Sequence, residues 1–148
     1  MSATAGRVLG LDLGDVRIGV AISDPDRRVA VALGTVHVGR PPGELLAIAE
    51  LVREHEATMI VIGEPISLDG TRGTRASHAA AFAEAVRAVV EVPVVLHDER
   101  LSTVEASRGL QQAGVSAKRQ RAVIDASAAQ VILQSWLDVE RGRTEVEG

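Results

Sequence analysis

The chain has 148 residues, with 20 acidic and 16 basic side chains and a formal net charge of -4. It has no cysteine, which excludes disulfides, thiolate metal clusters and a cysteine nucleophile. Its length suits one ordinary hydrophobic core, so a single domain over 1–148 is expected, with a core of about 7–140.

Met1 to Gly6 lacks the charged start and apolar stretch of a signal peptide. No apolar run approaches the ~18 residues that a membrane span needs. A soluble cytoplasmic protein with no membrane partner is the expectation. The acidic balance argues against a simple phosphate-binding module, which normally leaves a basic footprint. Phe82 and Trp136 are the whole aromatic inventory, too few for a base-stacking platform of the single-strand RNA type. Every basic residue except Lys118 is an arginine, the type suited to bidentate phosphate contacts. Nucleic acid, if handled, must be met by arginine, backbone and metal.

The elements follow in order. Arg7 to Leu13 is an apolar strand, Gly14-Asp15 a hairpin turn, and Val16 to Ser23 an alternating strand with Val16, Ile18, Val20 and Ile22 on one side. Asp24-Pro25-Asp26 is a second turn, and Val29 to Val38 a third β-rich run with a break expected at Gly34. Glu44 to Glu56 has helical spacing at Leu45, Ile48, Ala49 and Val52. Met59 to Ile62 and Pro93 to His97 are short apolar strands suited to a parallel sheet covered on both faces. Gly63 to Thr74 reads as a loop and Arg75 to Val90 as an alanine-rich helix. Thr103 to Ala113 reads as a helix stopped by Gly114, and Arg119 to Glu140 as the last and longest helix. The polar stretch Arg141 to Gly148 reads as a flexible tail. The fold class is α/β: a mixed five-stranded sheet, with a three-strand antiparallel meander and two parallel strands, flanked by helices.

Three places carry candidate chemistry. Asp12 lies inside an apolar strand, where a carboxylate is costly unless paired or bound to metal. The alternatives are a cap on the Gly14 turn or a pair with Arg17. Asp98 and Glu99 follow the last strand, and sites of open α/β sheets collect at the carboxyl ends of strands. The alternative is that Asp98 or Ser102 caps the next helix while Glu99 is solvated. Asp125 sits in the last helix before Ala128 and Ala129, small residues that let a helix approach a sheet. The alternative is an acid near a helix N-terminus, favoured by the macrodipole. Together, three acids from the first strand, the end of the last strand and the last helix suit a pair of divalent ions at a scissile phosphate.

Four stretches carry a family resemblance: GLDLGDVRIGVAISD (Gly10 to Asp24), IVIGEPISLDGT (Ile60 to Thr71), HDERLSTVEA (His97 to Ala106) and VIDASAAQVILQSWL (Val123 to Leu137). The chain resembles the YqgF/RuvX family of Holliday junction resolvase-like proteins, associated with pre-16S rRNA nuclease activity, over about Val8 to Trp136. The resemblance implies a ribonuclease H-like fold and a hydrolase, a metal-dependent endonuclease using Mg²⁺ or Mn²⁺. It implies Asp12, Asp98, Glu99 and Asp125 as catalytic residues. Of these, Asp12, Glu99 and Asp125 are the metal ligands, Glu99 ranking above Asp98. The family usually has GLP where this chain has Gly63-Glu64-Pro65, and Glu64 is expected to point to solvent.

Arg17, Arg72, Arg75 and Arg100 lie on or beside the segments bearing the acids and are candidate phosphate contacts. Arg100 equally suits a pair with the acids that precede it. Lys118, Arg119 and Arg121 form the densest basic segment, a nucleic-acid contact or a solvated loop. The histidines show no zinc spacing; His97 is read as packing or support, the others as surface.

Three functions compete. The first is processing of the 5' end of precursor 16S rRNA, with structured RNA and ribosomal particles as partners. A resolvase of branched DNA is the variant reading, and it requires a homodimer where a single-site nuclease can be a monomer. The second is a non-catalytic ribosome-associated factor. The third is an ATP-binding domain of the actin and sugar-kinase type, which normally needs two such domains.

Overall fold

A computed structural model describes residues 6–40, 42–65, 73–101 and 117–147, with side chains of the last helix described from 126 to 143. The element order is β1 (Val8–Leu13), β2 (Arg17–Ser23), β3 (Ala30–His37), α1 (Gly43–Glu54), β4 (Met59–Glu64), α2 (Thr74–Arg87), β5 (Val94–Asp98), a single 3₁₀ turn (Glu99–Leu101) and α3 (Ala117–Glu147). The five strands form one sheet in the order β3-β2-β1-β4-β5. β1 pairs antiparallel with β2 and β2 with β3, while β1–β4 and β4–β5 are parallel. The expected helix over Thr103 to Ala113 lies outside the described residues.

Strand alternation sorts the core into two layers. On one face, Leu9, Leu11, Ile18, Val20, Ile22, Ile60 and Ile62 pack with Ile48 of α1 and with Ala83 and Val86 of α2. Val16, expected on this side, precedes β2 and is exposed. On the other face, Val8, Ala21, Ala30 and Val61 pack against Ala129, Leu133 and Leu137 of α3. Gly10 is the reason α3 sits so close: a Cβ there would lie 2.8 Å from the Leu133 Cβ. At least as specific is a polar clamp. The Ala30 N–H donates to Gln134 Oε1 (2.9 Å), Gln130 Nε2 donates to the Ala30 carbonyl (3.0 Å), and Gln134 Nε2 donates to the Arg28 carbonyl (2.9 Å). α3 thus satisfies backbone groups where edge strand β3 begins, groups that a sheet edge otherwise leaves to water.

Three segments differ from the sequence expectation. Gly34 does not break β3. Val20 opposes Gly34 and Ala21 opposes Ala32, so Leu33 is an extra residue in a bulge, with Gly34 at φ +153. β4 runs two residues past Ile62, because Gly63 and Glu64 pair in register with His97 and Asp98. α3 continues through the polar stretch that begins at Arg141. Asp138–Arg141 and Glu140–Arg143 pairs at i,i+3 support that extension, and Arg141 Nη1 donates to the Arg28 carbonyl at 3.2 Å.

Candidate active site at the carboxyl edge of the sheet

Asp12 is the penultimate residue of β1 and is only 3% exposed. It opposes Gly19 of β2 and directly follows Leu11, whose parallel partner Ile62 directly precedes Gly63. Gly63 in turn is aligned with His97. Register partners share a face, so Asp12, Gly63 and His97 form a row on the α3 side of the sheet. Arg17 opens β2 at the same end and on the same side.

Glu99 reaches this row from the 3₁₀ turn. Its carboxylate leans over Gly63: a Cβ at 63 would stand 2.8 Å from Glu99 Oε1 and 2.7 Å from Ile132 Cδ1 of α3. Glycine at 63 therefore leaves the space in which an acid from the 3₁₀ turn and an apolar residue from α3 meet over the sheet. Asp125 lies in α3 two turns before Ile132; its side chain is outside the described residues. Among the described residues, no group of three or more His, Asp or Glu side chains is arranged to hold a metal ion.

Asp98 and Glu99 lie in different surroundings. Asp98 points to the other face, as its register partner Glu64 does, and is engaged by Arg100. Arg100 Nη2 donates to Asp98 Oδ2 at 2.7 Å and Nε to Oδ1 at 3.1 Å, and the Arg100 N–H donates to Oδ1 at 2.8 Å. These bonds start the 3₁₀ turn and hold the Asp98 carboxyl below its ordinary range, the side-chain bond from Arg100 being the largest cause. Arg100 accordingly meets its neighbouring acid.

A chain of hydrogen bonds, part-buried at His97 and exposed at Leu101, fixes this turn to α3. Ser135 Oγ donates to the Leu101 carbonyl at 2.8 Å, which consumes its one proton. It must then accept from His97 Nε2, 2.9 Å away, and this assigns the Nε2–H tautomer to the neutral ring. Burial pushes the His97 pKa down and keeps the ring neutral. His97 and Ser135 lie 38 residues apart, so their meeting depends on tertiary packing. Only the apolar pattern of the last strand hinted that His97 points inward.

The expectation for Glu64 is corrected. It is 5% exposed and therefore does not point to solvent. It is the last residue of β4, paired with β5, so its side chain is enclosed by the sheet's neighbours instead of projecting from a loop. Arg75 lies exposed in the first turn of α2, beside Glu99 and Gly63 on the wall of a cavity of about 250 Å³. Arg72 and the side chains of Lys118, Arg119 and Arg121 lie outside the described residues. Among the described residues, no helix is long and apolar enough to cross a membrane.

Residues 6–139 match the family model described as RuvX, Holliday junction resolvase. A protein of Anaeromyxobacter dehalogenans (strain 2CP-C) is 50% identical over 132 residues, covering 89% of this chain and 96% of that protein. One of Mycobacterium leprae (strain TN) is 52% identical over 140 residues, covering 94% and 76%. Both carry the name "Putative pre-16S rRNA nuclease". Among solved structures, Thermus thermophilus RuvC in complex with a Holliday junction substrate superposes with a TM-score of 0.55 at 16% identity, covering 92% of this chain and 96% of that one. Fowlpox virus resolvase with Holliday junction DNA gives 0.55 at 9% identity, covering 90% and 97%. These resemblances establish a ribonuclease H-like fold.

Proposed function

The chain belongs to the RuvX family of Holliday junction resolvase-like nucleases, and on that premise we propose that it is a divalent-metal-dependent endoribonuclease that processes the 5' end of precursor 16S rRNA in the cytoplasm. The observation that carries the reading is the acidic cleft over Gly63. A buried carboxylate, Asp12, shares its face of the sheet with Glu99, whose carboxylate occupies the space a Cβ would fill. Buried carboxylates are retained where a cation offsets their charge. Oxygen donors of this type suit Mg²⁺ or Mn²⁺.

In this reading Asp12, Glu99 and Asp125 hold the ions. When bound, such ions supply Lewis-acid stabilisation of the charge that develops at the scissile phosphate and activation of the attacking water. The chain's own part is placement. The parallel register pairs Leu11 with Ile62, the residues just before Asp12 and Gly63, and supports that placement. The Asp98–Arg100 clasp and the His97–Ser135–Leu101 chain hold the turn from which Glu99 projects. Arg17, Arg75 and Arg100, with Arg72, Lys118, Arg119 and Arg121, grip phosphates flanking the scissile one. The identities of 50% and 52% to relatives named for pre-16S rRNA support RNA on a ribosomal particle as substrate.

The test offers purified protein a precursor 16S rRNA leader, the same leader on a small-subunit particle, and a four-way DNA junction, each with Mg²⁺, Mn²⁺ or chelator. Cleavage of the leader that needs the ion and is lost in Asp12→Asn and Asp125→Asn is the expected result. Cleavage that persists unchanged in both variants contradicts the assignment. Binding without cleavage under any ion favours a non-catalytic factor. Preferential cutting of the junction by a dimer favours the resolvase.

A further inference from the structure

The cleft beside Glu99 does not end at the acids. The cavity of about 250 Å³ that Glu99, Gly63 and Arg75 line adjoins a second of about 150 Å³, and Leu13, Gly14, Asp15 and His78 line both. The two form one groove between the β1–β2 turn and α2. Its inner end is amphipathic. His78 and Phe82, one turn apart at i,i+4, present two rings from α2. Leu13, Ile18 and Val38 add apolar floor, while Asp15 and Glu44 add carboxylates. Phe82 is the chain's only phenylalanine and is partly buried here.

We propose that this groove is a nucleobase subsite: it receives one unpaired base from the strand whose phosphate lies at Asp12 and Glu99, and it selects bases that carry an exocyclic amino group. The proposal rests on the nuclease reading for the position of the strand. Glu99 lines the outer cavity, so a nucleotide flanking a phosphate held at Glu99 reaches the groove without leaving the chain. Arg75 lines the outer cavity with Glu99, placed for the intervening phosphate. A base extruded from a stack is held by ring faces and read by polar groups on its edge. His78 and Phe82 offer the faces. The carboxylates of Asp15 and Glu44 are acceptors only, so they favour an amino edge, such as cytosine N4, and repel a carbonyl edge, such as uracil O4. Composition alone suggested recognition without bases; the groove gathers one of the chain's two aromatic rings, with a histidine, where one base is needed.

The probes are fluorescently labelled hexacytidylate and hexauridylate, two unstructured RNAs that differ at the amino and carbonyl edge. Their binding to the full protein is measured by anisotropy in Ca²⁺, with the RNA checked for integrity. The expected result is binding of the cytidine hexamer about tenfold tighter, from edge contacts of ordinary strength. Exposed His78→Ala lowers cytidine binding by about tenfold with its melting temperature unchanged. Asp15→Asn, whose amide offers both donor and acceptor, brings the two affinities together. Arg75→Ala weakens both hexamers alike. Equal binding of the two hexamers by the unaltered protein, no binding of either, a cytidine affinity untouched by His78→Ala, or a cytidine preference untouched by Asp15→Asn overturns the subsite. Cytidine preference in a protein that cleaves no nucleic acid under Mg²⁺ or Mn²⁺ overturns the nuclease reading and leaves the subsite standing.

Discussion

Two glycines on neighbouring strands offer a paired test of how the sheet and α3 build the acidic cleft. Alanine at Gly63 puts a methyl 2.7 Å from Ile132 Cδ1 and 2.8 Å from Glu99 Oε1. Both atoms are the far ends of flexible side chains, so the fold yields cheaply, at the low end of the ~1–3 kcal/mol that overpacking costs. Glu99, however, has to move by several tenths of an ångström or more. Misplacement of about 1 Å costs on the order of a hundredfold in rate where chemistry depends on position. Alanine at Gly10 meets Leu133 at its Cβ, 2.8 Å away, and that atom moves only with the α3 backbone. The cost there belongs at the upper end, about 3 kcal/mol. For a chain of this size each kcal/mol shifts the melting temperature by roughly 2–4 °C. Gly63→Ala is therefore expected to melt within about 4 °C of the unaltered protein while losing roughly a hundredfold in cleavage. Gly10→Ala is expected to melt about 6–12 °C lower. Thermal denaturation followed by circular dichroism, with cleavage rates taken below both transitions, separates the two. Full activity in Gly63→Ala would refute the placement of Glu99 as the reason that position is glycine.

Other expectations follow from the polar contacts. Ser135→Ala removes the acceptor for His97 and the donor for Leu101, and should cost about 1 kcal/mol and lower kcat more than it raises KM; Ser135→Thr, which keeps the hydroxyl, should restore part of both. His97, its pKa lowered by burial, stays neutral in the fold while the unfolded chain takes up a proton. Its contribution to stability is therefore complete above about pH 6.5 and falls away as pH drops below that value, a dependence that His97→Gln should flatten in denaturant titrations. Asp24 and Asp98 have lowered pKa values, Asp24 chiefly through the Val29 N–H and Asp98 through Arg100. Their contribution is present above about pH 3.9 and is lost as pH falls through their folded values, so Asp24→Ala should lose stability at neutral pH and show less acid sensitivity than the unaltered chain.

Much of the architecture was legible because both faces of the sheet are covered. Ile18, Val20 and Ile22 alternate with Gly19, Ala21 and Ser23, and each set meets a different layer. Small residues at Ala21 and Ala30 mark where α3 presses close. Asp12 stood out as an acid inside an apolar run. The boundaries were less legible: Gly63 and Glu64 look like a loop until β5 pairs with them, and Gly34 looks like a break until Leu33 is seen to bulge. Glu64 was misread for the same reason, since a charged residue after an apolar run reads as solvated unless the neighbouring strand is known. Asp98 and Glu99 could be ordered only by resemblance, and the sequence held no sign that register turns Asp98 to the face opposite Asp12. The Gln130 and Gln134 clamp and the His97–Ser135 bond join residues 38 to 106 apart, and no local pattern announces them.

The central claim is that Asp12, Glu99 and Asp125 converge on divalent cations at the carboxyl edge of the sheet. A crystal of the protein soaked in Mn²⁺, with anomalous difference maps, tests it most directly. The expected peak is bounded by Asp12, the Glu99 carboxylate and α3 at Asp125, and is absent in an Asp12→Asn crystal. A Mn²⁺-activated protein whose anomalous peaks lie only elsewhere, or whose peak survives Asp12→Asn unchanged, would contradict it.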